Sequence, residues 1–203
     1  GFVPKGTGQN CFIEITIIHL YDSAKQNKRR NLNMKTPLDC IMERENNPQI
    51  IGEYVSLKTR MSAGDAHYAG ELVEGAHIVT AWGDVGTELA IRLFGDESLF
   101  VGYSEVRYTA PVYAGDWMEY GGYIEKVGNT SLTCKFFAYK WMKDSKDENG
   151  NVINGSGAEM VNPPELCAYG TGTLMVAKHL QRPECGDPKF AADAKAAGAK
   201  AFA

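Results

Sequence analysis

The stretch DAHYAGELVEGAHIVTAWGDVGTEL, residues 65–89, decides how the chain is read. It runs from a glycine-flanked turn into a mostly apolar segment that nevertheless carries Asp84 and Glu88. The spacing predicts one long helix over 71–93. At about 3.6 residues per turn the two carboxylates stack on one face, and His77 lies two turns before Asp84 on the same stripe. The other side, Leu72, Ala76, Val79, Gly86, Ala90 and Leu93, is apolar or small. Glycines 75, 83 and 86 cost helix stability unless a close approach offsets them, so a strand, a second subunit or a ligand must come near.

The segments around this helix read as strands. In EYVSLKTRMS (53–62) Val55, Leu57, Thr59 and Met61 alternate with polar neighbours, the period of a half-buried strand. Downstream, 98–110, 116–128, 130–143 and 168–179 are rich in β-branched and aromatic residues and are separated by turns; KVGNTS (126–131) has the chemistry of a tight hairpin. Strand, long helix, then four strands predicts an α+β domain in which a curved antiparallel β-sheet wraps one long central helix. That domain is expected over 53–182, with a loop insertion at 144–166, DSKDENGNVINGSGAEMVNPPEL, whose charge, Gly, Asn and Pro pair break the strand rhythm.

The ends are read separately. Residues 1–52 form an N-terminal extension outside the core, and 183–203 an Ala/Lys-rich C-terminal tail, weakly helical or disordered. Within the extension, KRRNLNM ends at Met34, and Arg29-Arg30 is compatible with a purine-rich ribosome-binding sequence ahead of a start codon. One expectation is therefore that 1–33 is translated leader; the other is a strain-specific extension or an expression scar.

Composition bounds the function. The 203 residues are 44% hydrophobic with a formal net charge of -4, which describes a globular chain and gives no reason to expect a nucleic-acid partner. No apolar run approaches the roughly 20 residues that span a bilayer and no secretory signal is evident, so no membrane is expected and a cytoplasmic location is. Five scattered cysteines without a CxxC pair fit a reducing compartment; Cys134, in a strand pattern, and Cys167, after a Pro-Pro turn, read as buried, inert thiols. The four histidines lack metal-ligand spacing, so no metal is expected, and without a GxGxxG fingerprint neither is a dinucleotide cofactor.

The candidate chemistry lies on the helix and the turn before it. Acids on an amphipathic helix ordinarily face water. If a partner covers the face turned away from the sheet, however, Asp84 and Glu88 become partly desolvated and form an acid/base pair with separated proton affinities. Asp65 and His67 sit within reach of the helix N-terminus, where unpaired N–H groups favour an oxyanion; backbone around Gly70 and Gly75 would stabilise a thioester enolate. His77 is read as packing or supporting.

Three long motifs, SAGDAHYAGELVEGAHIVTAWGDVGTEL (62–89), TAPVYAGDWMEYGGYIEKVGNTSLTCKF (109–136) and NPPELC with TGTLMVAK (162–167 and 171–178), resemble the 3-aminoacyl-CoA ammonia-lyases of the hotdog fold, over about residues 55–182. The shorter P-V-x-x-G-D and K-V-G-x-T-S elements are also similar to hotdog thioesterases and mark only the superfamily. The resemblance implies reversible removal of ammonia from a 3-aminoacyl-CoA, β-alanyl-CoA to acryloyl-CoA in amino-acid fermentation, with 3-aminobutyryl-CoA and crotonyl-CoA as the alternative. It implies a homo-oligomer of hotdog dimers with sites at subunit interfaces, and no cofactor beyond the CoA carried by the substrate. Asp84 would be the base, Glu88 would hold the ammonium or shuttle its proton, and these two roles could be exchanged. His67 with Asp65 would orient substrate or assist proton transfer. For CoA and substrate binding, Tyr68, Lys126, Gly128, Asn129, Thr130, Ser131, Lys178 and Arg182 are the candidates.

Two other classes share the fold. A thioesterase would use the helix acid to activate water and release free CoA, and a non-catalytic acyl-CoA-binding protein would bind without turnover.

Overall fold

The computed structural model describes residues 34–202, so the leader question, which concerns 1–33, lies outside the described residues. Helix α1 (Pro37–Arg44) is followed by β1 (Ile51–Arg60), a small antiparallel pair β2 (Ala66–Tyr68) and β3 (Leu72–Val73), and the long helix α2 (Gly75–Phe94). Then come β4 (Leu99–Tyr108), β5 (Trp117–Val127), β6 (Ser131–Asp144), β7 (Ala158–Met175) and α3 (Pro188–Ala196). The five long strands form one antiparallel sheet in the order β1-β5-β6-β7-β4.

Helix α2 lies against the inner face of this sheet. Its buried side is Ile78, Ala81, Trp82, Val85, Gly86, Leu89, Ala90, Leu93 and Phe94, an unbroken i, i+3, i+4 series. Each large member contributes about 1.5–3 kcal/mol through burial. Trp82 fixes the axial position: its ring stacks on Phe136 with centroids 5.8 Å apart, and Nε1 donates to the Phe137 carbonyl at 3.1 Å. Two of the helix glycines are explained within the chain. A Cβ on Gly86 would stand 3.0 Å from Leu174, and one on Gly75 would stand 2.6 Å from the Tyr108 ring. Gly83 is different: among the described residues, no atom outside its own stretch of helix lies within 4 Å of an added Cβ. At its C-terminus α2 is closed by Gly95 in the left-handed region, whose N–H donates to Ile91 O at 2.8 Å.

Four sequence boundaries change. The helix begins at Gly75 rather than 71, because Gly70 and Glu71 both have positive φ (76° and 63°) and turn the chain between β2 and β3. The loop between the last two long strands shrinks to 145–157, since β6 and β7 continue pairing out to Asp144 and Ala158. Helix α1, assigned to the extension, belongs to the fold: a Thr36/Asp39 capping box and Pro37 start it, and Ile41 packs with Tyr123, Phe137 and Tyr139 on the outer face of the sheet. The C-terminal segment set apart as a tail is also folded, with Phe190 and Ala194 fully buried and Phe202 stacked on Phe94 at 5.7 Å. Gly52 makes room for Phe190, whose ring would collide with any Cβ there.

Candidate active site

The chain entering α2 is built as a turn, a short hairpin and a helix start. Ser62 opens the 3-10 turn Ala63–Asp65, and its backbone N–H and hydroxyl both donate to Asp65 Oδ2, at 2.7 and 2.8 Å. These hydrogen bonds hold the Asp65 carboxyl below its ordinary value, with the neighbouring His77 and His67 pulling the same way. The β2–β3 hairpin then folds the chain back, docked by Val73 N–H on Val112 O at 2.8 Å and Ala114 N–H on Glu71 O at 2.9 Å.

That return creates two pairs. His77 Nδ1 lies 3.8 Å from Asp65 Oδ1, and His67 Nδ1 lies 3.6 Å from Glu74 Oε1. The sequence grouped His67 with Asp65; the fold instead gives Asp65 to His77 and supplies Glu74, which the sequence reading missed, to His67. The available signal for Glu74 was its place just ahead of the helix, where an acid favours the dipole. Glu74 is the N-cap residue yet makes no side-chain capping bond; His77 N–H donates to Glu74 O at 3.2 Å, and the N–H groups of Gly75 and Ala76 have no partner among the described residues.

Beside this open end lies a groove of about 580 Å3, lined by Tyr68, Leu72, Val73, Gly75, Ile78 and Tyr108 and by residues 109–112. Tyr108, also missed, crosses the helix start and donates its hydroxyl to Gly75 O at 3.1 Å; partial burial raises its pKa. Only the ring of Tyr108 above Gly75 explains why the first helical residue lacks a side chain. Of the two glycines expected to meet an oxyanion, Gly75 is at the helix start. Gly70 is not: it is the tip of the β2–β3 hairpin, exposed, where its positive φ serves the turn.

The helix acids sit farther along. Asp84 is exposed, and the rise from His77 separates the two by about 10 Å of helix. Glu88 is also exposed, but Arg92 occupies it: Oε1 accepts from Nε at 2.9 Å and from the guanidinium terminus at 2.8 Å. Arg92 further approaches Glu53 and Asp187, each at 3.7 Å, tying the helix end to β1 and to the start of α3.

The CoA candidates divide between a hairpin and two helix-end anchors. Lys126, Gly128 and Asn129 line a cleft of about 490 Å3 together with Ile51 and residues 197–200. Thr130 and Ser131 complete the hairpin, the Thr130 carbonyl accepting from Val176 N–H and that of Ser131 from Gly128 N–H. Lys178 and Arg182 are employed internally: Lys178 Nζ donates to Ala201 O at 2.9 Å, and the Arg182 guanidinium to Gly95 O at 2.6 Å. They hold the C-terminal segment and the end of α2.

No family profile matches the chain. Over 126 residues it is 44% identical to the 3-aminobutyryl-CoA ammonia lyase of Acetoanaerobium sticklandii, covering 62% of this chain and 96% of that relative. Its fold superposes on the β-alanyl-CoA:ammonia lyase of Clostridium propionicum with a TM-score of 0.61 and 48% identity, covering 68% of this chain and all of the other. A hexameric broad-specificity acyl-coenzyme A thioesterase shares the fold alone, at 17% identity and a TM-score of 0.50, with 74% of this chain and 92% of that one covered. The sheet wrapped around α2 is thus a hotdog fold, and the chain belongs to the hotdog 3-aminoacyl-CoA ammonia-lyase family, which are carbon–nitrogen lyases.

Proposed function

We propose that the chain catalyses reversible elimination of ammonia from a short 3-aminoacyl-CoA, with hydrogen (β-alanyl-CoA) or methyl (3-aminobutyryl-CoA) on the β-carbon. The observation that carries this reading is the N-terminus of α2, without a side-chain cap, at an apolar groove whose lining residues Tyr68, Val73, Gly75 and Ile78 are sequence neighbours of the two histidine–carboxylate pairs. The thioester oxygen is met by the free N–H groups at Gly75 and Ala76, where the helix dipole favours the negative charge of an enolate. A carboxylate removes the α-proton, the electron pair becomes the Cα–Cβ double bond, and the β-amine leaves with its electrons; addition reverses each step. Asp65 and Glu74 are the proposed sources of negative charge for the ammonium, a role Glu88 fills less well while Arg92 neutralises it. No cofactor beyond the substrate's CoA enters the scheme.

Asp84 is the proposed base, contributed by a second copy of the chain. Base and ammonium act on adjacent carbons, so a carboxylate about 10 Å along the same helix does not serve both. Three features favour coverage of the exposed stripe of α2 by another copy. Gly83 beside Asp84 has nothing to accommodate among the described residues. Strand β4 is an open sheet edge, and Leu99 and Val101 on it are 71% and 64% exposed. Two copies related by a twofold axis at this edge run their helices antiparallel, carrying each Asp84 toward the opposite groove.

The test is to mix purified protein with ammonium and either acryloyl-CoA or crotonyl-CoA and follow product masses. Addition of ammonia to either ester supports the reading, and the faster one names the β-substituent. Release of free CoA without amination would replace it with thioester hydrolysis, and no change in either ester would contradict it.

A further inference from the structure

The groove has one wall whose support is an ion cluster. Residues 110–112, Ala-Pro-Val, face Gly75 and Ile78 of the helix start across the groove. They belong to the turn between β4 and β5, and that turn hangs on Lys140 of β6. The Lys140 ammonium, whose side chain is only 7% exposed, donates to Pro111 O at 2.9 Å. It also meets Asp116 Oδ2 at 3.0 Å and Glu165 Oε2 at 3.2 Å, so its three N–H bonds have three acceptors. Asp116, itself buried, closes the turn by accepting from Tyr113 N–H at 2.9 Å. Backbone bonds from Met61 to Asp116 and from Gly115 to Met61, both 2.8 Å, tie the same turn to the end of β1.

A buried ion cluster is an expensive way to stabilise a fold, since apolar side chains of similar volume often serve as well or better. What it supplies is geometry: a compact ammonium with three directed bonds fixes a carbonyl at one distance from β6. Here that carbonyl belongs to Pro111, at the centre of the groove wall.

We propose that Lys140 is a positioning residue that sets the width of the acyl groove and thereby the β-substituent the enzyme takes. The inference rests on the reading of the groove as the acyl site. Lys140 acts through Pro111 and Val112, without touching substrate. Loss of its directed bonds lets the wall move away from α2 and admits the larger acyl group.

The test compares wild type with Lys140→Arg and with Asp116→Asn/Lys140→Met. The arginine keeps the charge, but its planar fork does not reach three convergent acceptors in the same way. The double variant removes both charges together and leaves no unpaired buried ion. The readout is the ratio of kcat/KM for crotonyl-CoA to that for acryloyl-CoA, together with the binding ratio of the unreactive butyryl-CoA to propionyl-CoA by calorimetry. One methylene is worth roughly 10- to 200-fold in a fitted apolar pocket, so both ratios are expected to rise by about tenfold, through KM more than kcat. Folded variants with wild-type ratios overturn the proposal, as does failure of both variants to fold, which makes the cluster part of the fold's stability. If wild type aminates neither ester, the binding ratios still decide: a shift in them upholds the wall while the lyase reading fails. Wild type that binds neither saturated ester overturns the proposal.

Discussion

The Asp65 carboxylate, clamped by Ser62, stands 3.8 Å from the imidazole of His77, twelve residues along the chain and on the first turn of α2. The hairpin 66–73 folds the turn back on the helix and so brings this acid to the start of α2. Asp65→Ala removes both the acceptor of Ser62 and the partner of His77. Loss of a capping carboxylate costs about 1 kcal/mol. The expected result is that stability change in denaturant melts, with kcat/KM for amination falling by at least about tenfold, the scale of losing one charged partner of the ammonium.

Asp84→Asn is expected to remove turnover, by at least about a hundredfold, while leaving fold and oligomer intact. Asp84 is exposed on its own chain and holds no hydrogen bond there among the described residues, so the change in melting should stay within about 0.5 kcal/mol. Near-wild-type activity in a folded variant would remove Asp84 from the mechanism.

Glu88→Gln separates the two helix acids. The Glu88–Arg92 pair is an exposed i, i+4 contact, worth about 0.3–0.5 kcal/mol. The variant is expected to lose about that much stability and to keep its KM for ammonium within a few-fold of wild type. A large rise in that KM would return Glu88 to the ammonium site.

Stability is expected to form a plateau with two limbs. Asp39 and Asp65 lie below their ordinary 3.8 because backbone and side-chain hydrogen bonds hold the charged form, so their contribution is present above that value and lost as pH falls through the lower folded values. For Lys140, burial lowers the pKa, but the hydrogen bond it donates to Asp116 and nearby negative groups outweigh it and leave it above 10.5. Its contribution is present below 10.5 and lost as pH rises through the higher folded value. Denaturant melts across pH should therefore decline below about 4 and above about 10.5, with the alkaline limb reduced in Asp116→Asn/Lys140→Met.

The cysteines give a check on the core. Burial pushes Cys167 up to about 12 and raises Cys134 and Cys40, whereas Cys185 is exposed. An alkylating reagent at pH 8 should modify Cys185 in the folded protein, while Cys134 and Cys167 react only in denaturant. Labelling of Cys167 in the native state would show that the strand carrying it opens.

The sheet and its helix were legible because Val55, Leu57, Thr59 and Met61 alternate with polar neighbours and because Gly86, Ala90 and Leu93 of the apolar side do face the sheet, although Ala76 on that side is exposed and Leu72 precedes the helix. What escaped had no such period. The outer end of β7 is exposed over 158–160 and that of β6 is half-buried on both faces apart from exposed Lys143, so the pairing of Lys143 with Glu159 leaves no alternation to read. Helix α3 is rich in alanine and short of large apolar residues, and its docking depends on Phe190 meeting the bare backbone of Gly52, over a hundred residues away. In the site, the positions of Asp65, Gly75 and Asp84 were visible as residue types in a pattern. The pairing of Asp65 with His77 and of His67 with Glu74 was not, because it depends on where the hairpin turns at Gly70 and Glu71. Lys140 read as one polar residue of a strand; its burial follows from the turn that closes over it.

The central claim is that each site combines the groove of one copy with Asp84 of another, and subunit mixing tests it most directly. Asp84→Asn and the double variant Asp65→Ala/His77→Ala are each expected to be inactive with acryloyl-CoA and ammonium. Co-refolded in equal amounts, they should regain about a quarter of wild-type activity, since half of randomly formed twofold dimers are hybrids with one intact site. Activity that stays at the level of the separate variants, in mixtures shown by mass to contain hybrids, would contradict the account and return base and groove to a single chain.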